Sequence, residues 1–566
     1  MTAGAGGPGA TGGWSRPWSW DDAARRAGVD RDGRLNMGAQ PYAHPRALVY
    51  RRSDGTQQDW SGEALHALAR RVADVLRRAG VRPGDRVAGL LGRSPASYAV
   101  PLAAWRLGAV YVPLFAGFRS EALRVRIADA GATVVVTDPA NRASLAEAQQ
   151  KLPDLTVLVA GLAGAASGAG AAAADGDDGD LDFDALVAAA PEHRPVHPTH
   201  RTDASTIMYT SGTTGPPKGC TLQHHSCVTL LPFLAHCLTV TPQESLFSTA
   251  DTGWSFGLFT TGVAPFSAGC SRLFLEGGYD PAAWWQAMRD NGSTHLASAP
   301  TGFRQLAAAG SEAIGPAGPP PSLRAATSGG EPLDPEVIRW WQEHVGVTIH
   351  DAYGLTELGM VVGNPRGPGA PDPVPGSMGY AIPGFEIGLL EDGGGEVHGS
   401  GEGRVAVRDN GWLLGSGYWG RQPEWDARLQ DGWWVTEDVA RRDDAGRLWY
   451  QSRSDDVIVT AGYNVGPFEV EAVLLEHPLV ADSAVVGVPD ERKGQVIEAH
   501  VVLTAGTRGA ALAAAPTPAS AELTAELKRW VGERIGWHAA PRHVTVHATL
   551  PRTESGKVKR RELRGR

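Results

Sequence analysis

The chain has 566 residues, of which 42% are hydrophobic and 20% are charged, and its formal net charge at pH 7 is −10. This length is too great for a single hydrophobic core and predicts a globular protein of several domains. The acidic balance argues against nucleic acid as a partner, and no uninterrupted apolar stretch is long enough to span a bilayer.

The cysteines and the N-terminus indicate the cellular compartment of the protein. The four cysteines all lie between residues 220 and 270 and form no C-x-x-C pair, which predicts reduced core thiols rather than a disulfide frame or a zinc site. The N-terminus lacks a basic start followed by an apolar region, so residues 1–20 predict a disordered lead-in and no signal peptide. Together these features predict a cytoplasmic protein.

The first part of the chain alternates helical and strand-like segments. Apolar residues between 65 and 79 fit one helical face, Gly80 is a typical C′ residue, and residues 87–91 follow as a strand. Two further helical segments lead into apolar strands at 109–113 and 133–137. Strands that alternate with helices predict layered α/β structure with parallel sheets.

The later part of the chain changes in character. Residues 161–180 consist mainly of Gly, Ala and Asp, which predicts a surface insertion. The Gly-rich stretch 393–403 lies between short strand-like runs and predicts a β-rich part around residues 375–450. Near the C-terminus, a strand at 483–488 precedes an amphipathic helix at 523–535, which indicates a separate small domain.

The most informative segment is Y-T-S-G-T-T-G-P-P-K-G, residues 209–219, which follows the apolar run Ile207–Met208. Its glycines permit close approach, its hydroxyl and backbone N–H groups are donors, and Lys218 adds a positive charge, so the segment predicts a polyphosphate cradle. A flexible surface loop is the alternative. The second glycine and the lysine are out of register with a Walker P-loop, and no Ser or Thr follows Lys218, which argues against an ordinary kinase or ATPase.

Five further segments carry polar groups that suit a nucleotide, although each one alone is equally or more typical of a turn or a solvated surface. They are S-G-G-E-P-L at 328–333, D-A-Y-G-L-T-E at 351–357, W-W-V-T-E-D at 433–438, S-R-S-D-D-V-I at 452–458 and P-R-T-E-S-G-K at 551–557. A carboxylate such as Glu357 beside a phosphate loop suits Mg²⁺, and Asp438 suits the two ribose hydroxyls.

The phosphate loop, the Y-G-x-T-E box and the P-R-T-x-S-G-K box, taken in this order, resemble the adenylate-forming superfamily of acyl-CoA synthetases, nonribosomal adenylation domains and luciferases. The resemblance covers roughly residues 40–566. It implies a large N-terminal domain at 21–453, built of layered α/β structure with a small β-barrel-like part. It also implies a small, mobile α+β C-terminal domain at 454–566.

The resemblance assigns nucleotide contacts residue by residue. The ATP phosphates are assigned to Thr210, Ser211, Gly212, Thr213, Thr214, Gly215 and Lys218. The adenine and its surroundings are assigned to Gly330, Glu331, Pro332, Asp351, Ala352 and Tyr353. Asp438 would bind the ribose, and Arg453 would reach the ribose or the phosphates.

The remaining assignments concern the reaction itself. Glu357 would bind Mg²⁺, and Thr356 would lie at the acyl carboxylate and the α-phosphate. Lys557 would bridge these two anions during adenylation, where its charge offsets their repulsion. Asp455 would be the hinge about which the C-terminal domain rotates between the two half-reactions.

Other segments indicate the branch of the family. Residues 460–471 resemble the version found in CoA synthetases, in which Gly462 lets pantetheine pass the backbone. Residues 250–254 and 277–304 resemble acetyl- and medium-chain acyl-CoA synthetases. Acetate-specific relatives carry tryptophan where this chain has Gly354, so an open pocket floor and a larger acid are expected. The residues expected to line the acyl pocket are Trp254, Ser255, Phe256, Gly329 and Gly354.

Three positions depart from the family pattern. Glu437 stands in a Thr-Glu-Asp sequence where Thr-Gly-Asp is usual, Ser452 replaces a glycine, and Asn464 stands where the nearest relatives carry arginine. The expected function is an ATP-dependent ligase that activates a medium-chain or aromatic acid as acyl-AMP, releases pyrophosphate and transfers the acyl group to CoA. The alternatives are loading of a carrier protein, activation of nitrite for N–N bond formation, and a non-catalytic binding relative. The presence of Lys557 and Glu357 argues against the last.

Overall fold

The computed structural model describes residues 17–161, 180–210, 217–391, 393–453, 456, 458–460, 463–490, 494–504, 516–537, 539–553 and 557–564. Most of the predicted lead-in and insertion therefore lies outside the described residues. The last residues of the predicted lead-in differ from the expectation. Ser19 caps a helix that begins at Trp20, and the Trp20 indole stacks on Trp412 with ring centroids 5.4 Å apart. The chain is therefore ordered before residue 20.

The first of two parallel layers is a sheet of eight described strands. In spatial order they are Gly415–Tyr418, Lys218–Gln223, Ala204–Thr210, Val110–Pro113, Arg86–Leu90, Val134–Thr137, Thr156–Val159 and Leu181–Asp182. Neighbouring strands are parallel from Ala204–Thr210 onward. The strands predicted at 87–91, 109–113 and 133–137 are confirmed as members of this sheet.

The second parallel layer contains seven described strands. They are Ile349–His350, Ala325–Ser328, His295–Ser298, Ser245–Ser248, Ser271–Leu275, Leu48–Arg51 and the antiparallel edge strand Gln57–Trp60. Helices cover both layers. The longer ones are Trp20–Arg26, Gly62–Arg78, Ala96–Arg106, Ser120–Ala130, Pro139–Gln149, Phe183–Ala189, Pro281–Asn291, Pro300–Ala308 and Pro335–His344.

Shorter helical segments complete this part of the chain. They are Met37–Ala39, Ser226–Thr229, Leu231–Phe233, Ala264–Ser267, Gly310–Ile314, Gln422–Asp426 and the π-helical segments Leu234–Leu238 and Phe256–Val263.

Local sequence explains the helix predicted at 65–79. Ser61 accepts a hydrogen bond from the backbone N–H of Ala64, and buried Leu65, Val72 and Leu76 form its core face. At its end, Gly80 has φ of +97°, and the N–H of Val81 bonds to the carbonyl of Leu76. This pattern is a Schellman motif, which glycine terminates without steric cost.

The β-rich part predicted around 375–450 is confirmed and begins earlier. One antiparallel sheet contains Ala352–Leu355, Gly359–Gly363 and Tyr380–Ala381. Another contains Ile387–Leu390, Gly401–Arg408, Leu429–Gln430, Trp433–Arg442 and Leu448–Arg453. The four cysteines are buried and unpaired, as predicted. Within the described ranges, no helix is both long and apolar enough to cross a membrane.

The C-terminal part has its own sheet and core. Its described strands are Ile458–Thr460, Tyr463–Val465, Val480–Asp490, Gly494–Leu503, Thr517–Pro518 and His543–Val546, and its helices are Pro467–Leu475, Ala521–Arg534 and Arg560–Leu563. The strand predicted at 483–488 and the amphipathic helix predicted at 523–535 are both present. Val470, Val485, Ile497 and Leu527 belong to one buried cluster. The fold class is therefore a large α/β part with antiparallel sheets and a small α+β part, as expected.

Candidate active site

A cleft with a volume of about 2510 Å³ lies where the two parallel sheets meet the C-terminal part. Many of its lining residues directly follow the carboxyl ends of parallel strands: Asp138, Thr249, Glu276, Ala299, Gly329 and Asp351. Ligands bind at this edge in open α/β sheets, because the connecting loops converge there. The cleft is also lined by Lys557 and Arg560 of the C-terminal part.

The predicted phosphate loop opens from a hairpin at this cleft. Thr210 ends one strand and Lys218 begins the next, and the two residues are paired in register. The Lys218 ammonium lies 2.7 Å from a carboxylate oxygen of Glu424 and 5.4 Å from the centre of the Tyr418 ring. Thr210 and Lys218 both line the cleft. The loop members Ser211, Gly212, Thr213, Thr214 and Gly215 lie outside the described residues.

The segment assigned to the adenine forms a tight turn at the same cleft. Gly330 has φ of +98°, a conformation that favours glycine, and Gly330, Glu331 and Pro332 all line the cleft. A carboxylate oxygen of Glu331 lies 2.8 Å from the guanidinium of Arg304 and accepts a hydrogen bond from the Thr301 hydroxyl at 2.8 Å. Glu331 is therefore held in place by protein groups.

Asp351 and Ala352 are buried beside this turn and line the cleft. Burial raises the pKa of Asp351 to about 7, because the carboxylate loses its hydration. Burial also raises the pKa of Asp334, which caps the helix Pro335–His344, to about 6. Two carboxyl groups at this end of the cleft therefore titrate well above their usual range.

Tyr353 and Asp438 lie together at the end assigned to the ribose. The Tyr353 hydroxyl donates to Asp438 Oδ2 across 2.7 Å, and the Asp438 N–H donates to the Thr436 hydroxyl at 3.0 Å. Burial raises the pKa of Tyr353 well above its usual value, and Asp438 raises it further, so the phenol remains a donor. The Asp438 carboxylate is therefore oriented before any ligand binds.

Glu357 and Thr356 follow in the next turn and line the cleft. Glu357 is buried, and its Oε1 accepts a hydrogen bond from Tyr418 at 2.9 Å. Among the described residues, no group of three His, Cys, Asp or Glu side chains is arranged to hold a metal ion. A single carboxylate beside a phosphate loop nevertheless fits Mg²⁺, since this ion takes most of its ligands from phosphates and water.

Glu437, the departure from the Thr-Gly-Asp pattern, makes two ion pairs in the cleft. Its Oε1 contacts Arg428 and its Oε2 contacts Arg453. Arg453 is paired in register with Asp438 on the neighbouring strand, so both arginines lie at the ribose end. Sequence reasoning noted Glu437 as a departure from the Thr-Gly-Asp motif but gave it no role, and it missed Arg428, which belongs to no recognised motif.

The residues expected around the acyl group do line the cleft: Trp254, Ser255, Phe256, Gly329 and Gly354. A side chain on Gly329 would place its Cβ 3.0 Å from Met360 Cε and 3.3 Å from Phe256 Cε2. Phe256 and Met360 therefore pack closely around Gly329 and form an apolar wall of the cleft, with little space for a side chain. Phe256 begins a π-helical segment, an irregularity that often marks functional sites. Sequence reasoning missed Met360.

Gly354 corrects the expectation of an open pocket floor. A Cβ on this residue would lie 2.1 Å from the carbonyl oxygen of Gly359, well inside van der Waals contact. The two residues lie on paired antiparallel strands, and the pairing is irregular between Tyr353 and Gly354. Glycine is required here by backbone packing, so its presence does not by itself indicate a large acid.

The C-terminal assignments are only partly described. Lys557 is exposed on a turn that lines the cleft, where its N–H donates to the Thr553 hydroxyl at 3.0 Å. Gly462 and the predicted hinge Asp455 lie outside the described residues. Around one cleft, the structure thus brings together Thr210, Lys218, Glu331, Asp351, Tyr353, Glu357, Asp438, Arg453 and Lys557.

Comparison with known proteins gives the same picture. The family model for AMP-binding enzymes matches residues 37–419, and the model for their C-terminal domain matches residues 469–557. The chain is 32% identical over 562 residues to acetyl-coenzyme A synthetase of Bacillus subtilis (strain 168), with 97% of this chain and 93% of that protein covered. It is 30% identical over 538 residues to the mitochondrial acyl-coenzyme A synthetase ACSM4 of Rattus norvegicus, with 93% and 87% covered.

A solved structure extends the likeness to the fold. The crystal structure of Brucella canis acyl-CoA synthetase superposes with a TM-score of 0.71 at 34% sequence identity, and 97% of each chain is covered. The family match spans more than half of the chain, and the relatives match over nearly its whole length. The chain therefore belongs to the AMP-binding enzyme family, and within it to the AMP-forming acid–CoA ligases that its motifs resemble.

Proposed function

We propose that this enzyme activates a medium-chain or aromatic carboxylic acid with ATP and transfers the acyl group to CoA. The observation that carries the proposal is the convergence of two cationic side chains and one carboxylate on one cleft. Lys218 lies at the predicted phosphate loop, Glu357 at the position assigned to Mg²⁺, and Lys557 in the lining that the C-terminal part contributes. Such a set matches the transfer of a nucleotide to a carboxylate.

In the first half-reaction, a carboxylate oxygen of the acid attacks the α-phosphorus of ATP. The bond from this phosphorus to the bridging oxygen breaks, and pyrophosphate leaves with the electron pair. Lys557 is the group that offsets repulsion between the two anions, and Thr356 orients them. Mg²⁺, held by Glu357 with phosphate oxygens and water, would neutralise part of the triphosphate charge.

The nucleoside is positioned by groups that are already in place. Asp438, oriented by Tyr353 and Thr436, would accept hydrogen bonds from the ribose hydroxyls. The turn at 329–332 and buried Ala352 would pack against the adenine. Preorganisation of this kind lowers the entropic cost of fixing the α-phosphate near the attacking oxygen.

In the second half-reaction, the C-terminal part rotates about Asp455 and the pantetheine thiol enters past Gly462. The thiol sulfur attacks the acyl carbon, the carbon–oxygen bond to AMP breaks, and the thiol proton passes to solvent. The products are the thioester and AMP. This step rests on the resemblance of residues 460–471 to the CoA synthetases.

The proposed acid class rests on the apolar wall of the cleft beside Gly329. Phe256 and Met360 form this wall, and Trp254, which also lines the cleft, packs against Phe115 with ring centroids 5.0 Å apart. Flat or extended hydrocarbon groups suit such a surface, because they exchange water for close apolar contact. Gly354 no longer supports the choice of acid, so the apolar wall carries it alone.

A pyrophosphate-release screen tests the proposal. Acetate, hexanoate, octanoate, benzoate and, for comparison, nitrite are each supplied with ATP and Mg²⁺, with and without CoA. We expect the fastest release with hexanoate, octanoate or benzoate, and sustained turnover only with CoA. A clear preference for acetate would contradict the acid class. Turnover that is indifferent to CoA, or that responds to nitrite instead of an acid, would contradict the proposed reaction.

A further inference from the structure

The turn that carries Lys557 is fixed by backbone contacts on both sides. Arg552 and Val558 form an antiparallel bridge, and the Thr553 N–H donates to the Lys557 carbonyl at 2.7 Å. The Lys559 N–H donates to the Pro551 carbonyl at 2.9 Å. These bonds join the described residues on the two sides of the turn, 551–553 and 557–559, to each other.

Two arginines that flank the turn help to attach it, together with the apolar packing of Val558 and Leu563 against the strand Val480–Asp490. After the turn, Arg560 Nη2 lies 2.7 Å from both carboxylate oxygens of Glu471. Before it, Arg552 Nη2 lies 2.6 Å from Asp482 Oδ2. We call these two ion pairs the arginine clamp.

The anchor of the clamp is Glu471, which is buried. Its Oε1 also accepts the N–H of Val485, and its backbone carbonyl accepts the Ser483 hydroxyl. Both donors lie on the strand Val480–Asp490, which also carries Asp482. Glu471 is therefore fixed to the central sheet of the C-terminal part, and Arg560 transmits this fixed position to the turn.

The same arginine also reaches the residue next to the predicted hinge. Arg560 Nη1 lies 3.7 Å from Asp456 Oδ2, and Arg564 Nη2 lies 2.6 Å from Asp456 Oδ1. A rotation about position 455 moves Asp456 and its partners together. The clamp therefore links Lys557 to the segment about which the C-terminal part is expected to turn.

We propose that Arg560 is a positioning residue for Lys557: its ion pair with Glu471 holds the Lys557 turn in register with the cleft. The inference rests on the proposed function, which gives Lys557 its role in adenylation. A long lysine side chain on a loosely held turn samples many positions, so its charge reaches the transition state only part of the time. Arg560 itself needs to touch neither substrate.

A double-mutant cycle tests this role in the full-length enzyme. The first half-reaction is followed by pyrophosphate release with whichever of acetate, hexanoate, octanoate and benzoate is used fastest. We expect Arg560→Ala to lower kcat by about 10- to 100-fold with KM for ATP unchanged within twofold, and Lys557→Ala to lower kcat by about 10²- to 10³-fold. Adding Arg560→Ala to Lys557→Ala is expected to cause no further loss, since Arg560 acts through Lys557.

A second readout separates positioning from folding. The second half-reaction, started from the synthetic acyl-AMP and CoA, is expected to stay within twofold of wild type in Arg560→Ala. Glu471→Gln keeps the acceptor for Val485 and removes only the charge, so it repeats the comparison with a milder change. Arg529→Ala, on an exposed face of the helix Ala521–Arg534, is the matched control.

The results that would overturn the clamp differ from the result that would overturn the proposed function. Losses from Arg560→Ala and Lys557→Ala that multiply in the double variant would overturn the clamp. So would an equal loss of both half-reactions in Glu471→Gln, or full adenylation activity in a folded Arg560→Ala. Wild-type enzyme that releases pyrophosphate with none of the four acids would overturn the proposed function, and the clamp with it.

Discussion

Tyr353 and Asp438 are joined by a hydrogen bond of 2.7 Å between strands of two different antiparallel sheets. Both residues are buried, and both line the cleft. The bond fixes the Asp438 carboxylate at the place where the ribose is expected. It also ties the sheet that follows the adenine turn to the sheet that leads into the C-terminal part.

This relationship predicts the effect of removing one oxygen atom. Tyr353→Phe keeps the ring and deletes the donor to a charged acceptor, a change that costs about tenfold in affinity. We expect KM for ATP to rise about tenfold while kcat changes less, as measured by pyrophosphate release against ATP concentration. Tyr42→Phe, on a buried ring outside the cleft, is the control. An unchanged KM for ATP in Tyr353→Phe would show that Asp438 does not depend on this bond.

Two neighbouring glycines predict opposite outcomes for the same substitution. In Gly354→Ala, the new Cβ would lie 2.1 Å from a backbone oxygen, so the paired strands must separate. In Gly329→Ala, the closest atom is the flexible end of Met360 at 3.0 Å, which can move. We expect Gly354→Ala to lower Tm by several degrees, and Gly329→Ala to leave Tm nearly unchanged.

Gly329→Ala also tests whether the acyl group lies against the apolar wall beside Gly329. In Gly329→Ala we expect kcat/KM for benzoate or octanoate to fall about tenfold more than kcat/KM for acetate, since overpacking costs more for larger groups. The measurement is kcat/KM over acids of increasing size. A decrease in kcat/KM that is equal for all acids would mean that the acyl group lies elsewhere in the cleft.

These glycines show what the sequence can and cannot predict. The nucleotide boxes were predictable because their chemistry lies in contiguous residues, as in the segment 351–357. The space beside Gly354 was not, because it depends on the irregular pairing of its strand with Gly359–Gly363. The sequence identifies a glycine, but it does not show which atoms lie beside it. Those neighbours decide whether the missing side chain leaves open pocket space or lets another backbone segment pack closely.

The long-range polar contacts of the site, an ion pair and a hydrogen bond, were hidden for a related reason. Arg560 and Glu471 are 89 residues apart in sequence, and Tyr353 and Asp438 are 85 apart. No periodicity or motif relates such partners, although each stands near a recognised segment. The alternation of strands and helices in the first domain, in contrast, is local and gave the correct parallel sheet.

Asp351 predicts a pH dependence of stability. Its folded pKa is raised from 3.8 to about 7, so the folded state holds this proton more tightly than the unfolded state does. The stabilisation that comes from protonated Asp351 is therefore fully present below about pH 4 and is lost as the pH rises toward 7. The side chain in Asp351→Asn cannot ionise. We therefore expect the Tm of this variant minus the Tm of wild type to be larger at pH 8 than at pH 5.

Thermal unfolding of both proteins between pH 5 and pH 8 provides the measurement. The same substitution at exposed Asp372 serves as the control. A Tm difference between Asp351→Asn and wild type that stays constant over this range would mean that Asp351 is charged throughout in the folded enzyme.

Glu437 predicts a salt-dependent effect on nucleotide affinity. Its carboxylate holds Arg428 and Arg453, and its side chain is 38% exposed, so each ion pair contributes modestly. We expect Glu437→Gln to raise KM for ATP by about three- to fivefold at low salt, because Arg453 is no longer held in the cleft, and by less at high salt. A lower KM for ATP would mean that Glu437 competes with the nucleotide for Arg453.

In the proposed reaction, the acid attacks the α-phosphorus of ATP and CoA then displaces AMP. The most direct test uses an acid labelled with ¹⁸O in both carboxylate oxygens, with mass spectrometry of the products after turnover with CoA. One labelled oxygen is expected in AMP and the other in the thioester carbonyl, with none in pyrophosphate. Unlabelled AMP, or label in phosphate or pyrophosphate, would contradict the proposed reaction.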